Sequence, residues 1–247
     1  MIIHSYENSL RSDACTEYLR GSDMCQNVDK IILMPIPTSR DKTTILNTNV
    51  YIKEVLELIC DRTLISGYGL TDEFILAAES RGAVVVDLER DEEFLSDNAE
   101  LTALCTLGIY LGTTWFSPRD ISVGIVGYGR IGKRLTNLFL YLGADVRVFT
   151  SRENTRLDLC ENGVSASFSG PEGDLSGLDI LINTAPAVIF TKESIPFGLR
   201  IIDLASGDNF VGVPDVEKYP SIPAKMFPKS AGRVWGRTLE RYLANNL

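Results

Sequence analysis

Twelve consecutive residues, Ile121-Ser122-Val123-Gly124-Ile125-Val126-Gly127-Tyr128-Gly129-Arg130-Ile131-Gly132, restrict this 247-residue chain more than any others. A short apolar run feeds three glycines spaced G-x-G-x-x-G. Leu135, Leu138, Phe139 and Leu142 then recur at helical spacing. The order strand, glycine turn, helix gives each glycine a task. Gly127 permits the tight turn, Gly129 leaves the backbone open to a pyrophosphate, and Gly132 lets the helix lie close to the strand. Free N–H groups and the positive dipole end at the helix start complete a phosphate site. The segment reads as dinucleotide-binding, with Gly127, Tyr128, Gly129, Arg130 and Ile131 against the cofactor.

The surrounding pattern alternates strands and helices, which predicts parallel sheets. Apolar runs at 30–35, 62–67 and 83–88 read as strands, 51–60 as a helix, and Thr71 as the cap of a helix running to Ser80. A long helix over 98–112 links this half to the next. Further strands are expected at 146–149, 179–184, 200–204 and 224–227, with a terminal helix over 231–244; 165–177, rich in Gly and Ser, reads as surface loop. The fold class is α/β, a Rossmann-type doubly wound parallel sheet with a smaller N-terminal α/β domain. The expected division is 1–97, flavodoxin-like and shortened at its start, and 98–247, carrying the linker helix, the nucleotide sheet and the terminal helix.

Composition narrows the partners. A net charge of −9 offers no basic stripe, which argues against nucleic acid. No apolar stretch approaches the ~20 residues that span a bilayer, and the first residues lack the basic-then-apolar layout of a signal peptide. The five cysteines are scattered, odd in number and never spaced C-x-x-C. That usage fits reduced thiols in the cytoplasm and argues against a disulfide framework or a metal site.

Cofactor choice rests on the end of the second nucleotide strand, Phe149-Thr150-Ser151-Arg152. No carboxylate stands there to take the ribose 2′-OH of NAD. Ser151 and Arg152 instead offer a hydroxyl and a planar cationic fork suited to a 2′-phosphate, which favours NADP over NAD. Asn183, Thr184, Pro186 and Ala205 follow later strands at the edge where ligands bind, and are expected near the nicotinamide ribose and ring. The lone histidine is His4, so no imidazole stands in the second half to act as the acid/base of a 2-hydroxyacid dehydrogenase. Lys229 and Ser230 are the expected catalytic pair, the lysine binding a carboxylate or transferring a proton.

Together, Leu64-Ile65-Ser66-Gly67, Leu88-Glu89-Arg90-Asp91, the glycine turn, Ile182-Asn183-Thr184-Ala185-Pro186, Ile202-Asp203-Leu204-Ala205-Ser206 and Pro228-Lys229-Ser230-Ala231-Gly232 resemble the family of the dipicolinate synthase A subunit, related to the NAD-binding domains of D-isomer specific 2-hydroxyacid dehydrogenases. The resemblance implies a sporulation-linked, NADP-dependent oxidation of a dihydrodipicolinate-type dicarboxylate, driven by aromatisation. It implies partnership with a flavoprotein-like B subunit; a homo-oligomer is also expected. Ser66, Gly67, Asn98 and Thr102 are expected to line the N-terminal wall of the substrate cleft.

Two departures stand out. The family's opening strand–helix unit is not evident before Lys30. The family's linker motif, Asn-Ser-Ile-Pro-Thr-Ala/Val-Glu-Gly, keeps Asn98 and Thr102 here, with Leu104 and Cys105 in place of the glutamate and glycine; Glu100 lies one turn earlier. The alternatives left open are a D-2-hydroxyacid dehydrogenase-like enzyme and an NAD(P)-binding subunit without turnover.

Overall fold

The computed structural model describes residues 1–171 and 173–246. The chain divides into two compact units, Met1–Asn98 with Pro223–Leu247, and Ala99–Ile222. Both are layered α/β structures built on parallel sheets.

In the first unit the strands β1 (Ile2–Ser5), β2 (Lys30–Leu33), β3 (Thr63–Gly67) and β4 (Val84–Asp87) are parallel and lie in chain order. Side chains alternate across a strand, so neighbours in β3 serve opposite faces. Ile65, with Ile32 of β2, packs on Phe74 and Ala78 of helix α2 (Asp72–Glu79) and on Ile52 and Val55 of a 3-10 segment, Ile52–Leu58. Thr71 caps α2 through a bond from the Phe74 N–H. On the other face, Ser66 Oγ accepts a 2.8 Å hydrogen bond from the indole N–H of Trp235, which is fully buried.

Trp235 belongs to the terminal helix α7 (Pro228–Asn246), which packs on α1 (Leu10–Arg20). Close approach depends on two small residues. A Cβ on Gly232 would lie 2.4 Å from the Arg11 carbonyl, and one on Gly236 would lie 2.5 Å from the Tyr18 ring. Arg11 sits 5.8 Å over the Trp235 ring and is tethered to Glu7 at 2.8 Å. Glu240 of α7 accepts hydrogen bonds from Ser22 and from the Tyr18 hydroxyl, which hold its carboxyl below the usual range.

Helix α3 (Glu92–Thr113) precedes the second unit's six strands: β5 (Ser122–Val126), β6 (Asp145–Thr150), β7 (Ser165–Phe168), β8 (Ile180–Asn183), β9 (Arg200–Asp203) and β10 (Val216–Lys218). Their order is β10-β9-β8-β5-β6-β7, all parallel. The chain runs from β5 to one edge, returns to β8 and proceeds to the other, so the order reverses between β5 and β8. Such a reversal opens a crevice at the carboxyl ends of the two strands. Helices α4 (Arg130–Tyr141) and α5 (Glu153–Glu161) connect the first half, and Leu135, Phe139 and Leu159 join Val123, Ile125, Val146 and Val148 in one core layer. The opposite face is sealed by Phe190 and Phe210, which lie in the β8–β9 and β9–β10 connections and pack on Phe149, Leu181 and Ile201. The first connection carries a 3-10 turn, Lys192–Ser194, and neither carries an α-helix.

Several expectations are corrected. An opening strand–helix unit is present, as β1 and α1; its strand escaped notice because it is only four residues long, with two apolar residues followed by two polar ones. The flavodoxin-like strand order is replaced by strict chain order in the first sheet. The segment read as an α-helix over 51–60 is the 3-10 segment. The strand expected at 224–227 is a short helix, α6 (Ile222–Met226). The span 165–177 contains β7 as well as loop, with Glu172 outside the described residues, and β10 was not foreseen. The terminal helix, expected with 98–247, packs in the first unit because Trp235 and the glycine face of α7 find their partners there.

All five cysteines are free: Cys15, Cys25 and Cys105 are buried, Cys60 and Cys160 exposed. Burial pushes the Cys105 thiol up to about 11. No helix among the described residues is long and apolar enough to cross a membrane.

The α1–α7 contact gives a paired stability test. Gly232→Ala forces a methyl group against backbone and is expected to lower the unfolding free energy by about 1–3 kcal/mol in urea titrations. Gly112→Ala, in α3, meets nothing within 4 Å and should leave stability unchanged or raise it by about 0.5–1 kcal/mol.

Candidate dinucleotide-binding site

The glycine turn follows β5 directly. Gly127 has φ +88°, a left-handed conformation that suits glycine, and its N–H donates to the Phe149 carbonyl at 2.8 Å. A Cβ on Gly132 would stand 2.1 Å from the Gly127 carbonyl oxygen, so the first turn of α4 can rest on the loop only because that residue has no side chain. Gly129 behaves oppositely. It is the N-terminal flanking residue of α4, exposed, and a Cβ there would meet nothing within 4 Å. Open space therefore lies at the start of a helix whose first N–H groups have no side-chain cap.

Thr184 closes the turn from β8. Its backbone N–H and its hydroxyl both donate to the Val126 carbonyl, at 2.9 and 2.8 Å. The hydroxyl oxygen would lie 2.8 Å from a Cβ on Gly127. Thr184 thus acts on the loop.

The end of β6 supplies the second wall. Thr150 is buried; its hydroxyl oxygen accepts from the Arg152 N–H at 3.2 Å and its carbonyl from the Ser169 N–H at 3.1 Å. Ser151 and Arg152 follow, both exposed. A cavity of about 180 Å³ brings Gly127, Tyr128 and Gly129 together with Ser151 and Arg152. Thr155, Ser169, Ala185 and Ile189 also line it and were missed in the sequence. For Ser169 and Ile189 the sequence carried no signal beyond their place in loops after strands. Arg130 and Ile131 continue into α4. A larger hollow, about 740 Å³, shares Ser169 and runs along β7. Its Arg156 is already answered by Glu153 at 2.7 Å and lies 5.0 Å from the Phe168 ring.

The other expected residues separate into two groups. Asn183 is buried at 1% exposure: its amide donates to Asp203 Oδ1 at 2.8 Å and to the Ala185 carbonyl at 3.0 Å, and it accepts from the Ala185 N–H. Asp203, equally buried, also accepts from Asn209 and from the Ala205 N–H. Asn183 is therefore an internal brace. Ala205 is half-buried and Pro186 exposed, both past the carboxyl ends of their strands.

Ser66 is fully buried with Trp235 on its oxygen, and a Cβ on Gly67 would press on Thr38 at 2.7 Å and Leu70 at 2.8 Å. These two residues serve packing. They do not form an accessible wall. Asn98 and Thr102 lie one turn apart on α3, the first half-buried and the second buried, each engaged by another group of the protein. Leu104 is partly exposed, and Cys105, at the position of the family's glycine, is fully buried. Lys229 and Ser230 are exposed in the first turn of α7, in the unit that does not carry the glycine turn.

Asn183→Ala would leave the buried Asp203 carboxylate short of a donor, and is expected to cost about 1–3 kcal/mol of stability by urea unfolding. A variant as stable as the parent would show that the brace is dispensable.

No family model matches the chain. The dipicolinate synthase A subunit of Bacillus subtilis is 26% identical over 238 residues, covering 89% of this chain and 79% of that protein. The crystal structure of the corresponding A subunit from Bacillus halodurans superimposes with a TM-score of 0.74 at 22% identity, over 98% of this chain and 97% of the other. Salmonella D-lactate dehydrogenase superimposes at 0.62 with 13% identity, over 98% and 96%. The fold is that of the dehydrogenases, and over most of its length the chain is similar to the A subunit of dipicolinate synthase.

Proposed function

We propose that this protein is an NADP-dependent oxidoreductase that oxidises a dihydrodipicolinate-type dicarboxylate. The observation that carries the reading is the cavity shared by the glycine turn and the Ser151–Arg152 pair. The residues fit the cofactor. Open space at Gly129 admits a pyrophosphate, and the uncapped N–H groups of α4 supply donors to it. Arg152 would hold a 2′-phosphate through its planar donor fork, with the Ser151 hydroxyl beside it. When bound, the nicotinamide accepts the hydride.

This chain's own contribution is positioning and charge. Thr184 and the Asn183–Asp203 brace fix the loop edge, and Ala205 and Pro186 are the proposed contacts for the ring end of the dinucleotide. Forming an aromatic ring releases a proton with the hydride and is itself favourable, so a strong imidazole base is unnecessary. His4, in β1, lies with its ring 4.6 Å from that of Tyr6. Lys229 and Ser230 are the proposed groups for holding a substrate carboxylate and relaying the proton. A cytoplasmic location, a homo-oligomer and a flavoprotein-like partner subunit belong to the same proposal.

A second reading has one observation in its favour. Leu104 and Cys105 replace a glutamate and glycine of the related proteins, and Cys105 is sealed in the core. A chain lacking that carboxylate serves equally as a cofactor-binding subunit without turnover.

Fluorescence titration with NADPH and NADH tests the first part. Arg152→Ala should weaken NADPH by about 1.5–3 kcal/mol through loss of a charge-assisted bond, with NADH little changed; equal weakening removes the case for NADP. Gly129→Ala should bind either nucleotide poorly while unfolding at the parent's urea midpoint, because its methyl group fills only the open space. Turnover of a dihydrodipicolinate-type substrate, reduced by Lys229→Ala, separates the enzyme from the silent subunit.

A further inference from the structure

Helix α3 is apolar on two faces, and the nucleotide unit covers one of them. Ala103, Cys105, Ile109 and Tyr110 enter that unit's core. Leu101, Leu104, Gly108 and Leu111 stand on the other side at spacings of three, four and three, and Trp115 follows four residues on. Leu101 is half-buried and the other four are exposed. A repeat of this period is the seam along which two helices pack side by side.

The exposed side chains are held where they are. The Tyr110 hydroxyl donates to the Phe116 carbonyl at 2.9 Å, and the Thr113 hydroxyl to the Ile109 carbonyl at 2.6 Å. Trp115 is 98% exposed, Phe116 63%, Leu111 53% and Leu104 39%. Residues 101–118 include no charged side chain, in a chain of which 23% is charged. A helix face kept in water carries polar and charged groups. This one has the composition of a covered face.

Three features select a second copy as the cover. By the usual size of such side chains, the four named above expose roughly 400–500 Å². That is over half of the ~800 Å² each partner buries in a stable pair, and a two-fold axis presents the same stripe from both sides. Two copies of net charge −9 repel, so an uncharged face is where they approach at least cost. Glu92, Glu93, Asp97 and Glu100 all lie in the first half of α3. An antiparallel pair therefore sets each acidic half against an uncharged half, whereas a parallel pair would oppose like charges.

We infer that α3 packs antiparallel on α3 of a second copy, about a two-fold axis at Gly108. The axis sets Trp115 of each copy opposite Leu101 of the other. The inference gives the homo-oligomer proposed above its face, and it is independent of the cofactor reading.

Sedimentation of the full chain over a range of concentrations tests it, with far-UV circular dichroism to check that each variant is folded. The parent should be a dimer. Leu111→Glu with Trp115→Glu should keep the parent's helicity and dissociate on the order of thirtyfold more readily or beyond, as when central apolar anchors are lost. In a background of Cys60→Ser and Cys160→Ser, Gly108→Cys should cross-link to a dimer on mild oxidation, and Asn137→Cys, exposed on α4, should not. A monomeric parent, or one that binds phosphatidylcholine vesicles in place of a second copy, would overturn the inference. So would a dimer as tight in the double variant as in the parent, or a Gly108→Cys chain that cross-links no better than Asn137→Cys. A dimer that survives the double variant leaves the homo-oligomer standing on another face, and NADPH titration scores the cofactor reading separately.

Discussion

The nucleotide unit depends on one steric condition: the first turn of α4 lies so near the end of β5 that a methyl group at Gly132 would collide with the Gly127 carbonyl. That closeness sets the aim of the helix, and with it the direction of the N–H groups that can meet phosphate. Thr184, bonding the Val126 carbonyl from the adjacent strand, locks the same turn from the other side of the strand-order reversal. Without these contacts the crevice at the carboxyl edge would lose the turn that lines it.

Elsewhere polar side chains that resemble ligand-binding groups turn out to be braces. Ser66 accepts from the Trp235 indole N–H, and Asn183 donates to Asp203 of the neighbouring strand. Each satisfies a buried donor or carboxylate that would otherwise be costly to enclose. The contrast with Ser151 and Arg152 is one of exposure: those side chains remain at the surface.

The sequence revealed the glycine turn and the long apolar strands because their signals are local. A strand buried on both faces announces itself by composition, and three spaced glycines announce a loop. What escaped was decided at a distance. Ser66 could be recognised as structural only through Trp235, 169 residues away. β7 has the composition Ser-Ala-Ser-Phe and becomes a strand by pairing with β6. Residues 224–227 read as a strand, yet 222–226 form a short helix, and 51–60 has helical periodicity but winds more tightly.

The docking of α7 has a consequence for how the chain is made. The first unit is discontinuous, its parts separated by the 124 residues of Ala99–Ile222. In synthesis from the N-terminus every residue of the nucleotide unit is made before those of α7. Trp235, Gly232 and Gly236 reach Ser66 and α1 only after that. Until then the Ser66 face of the four-stranded sheet lacks its cover, so chaperones that shield apolar surface have a defined interval, and a defined face, on which to act.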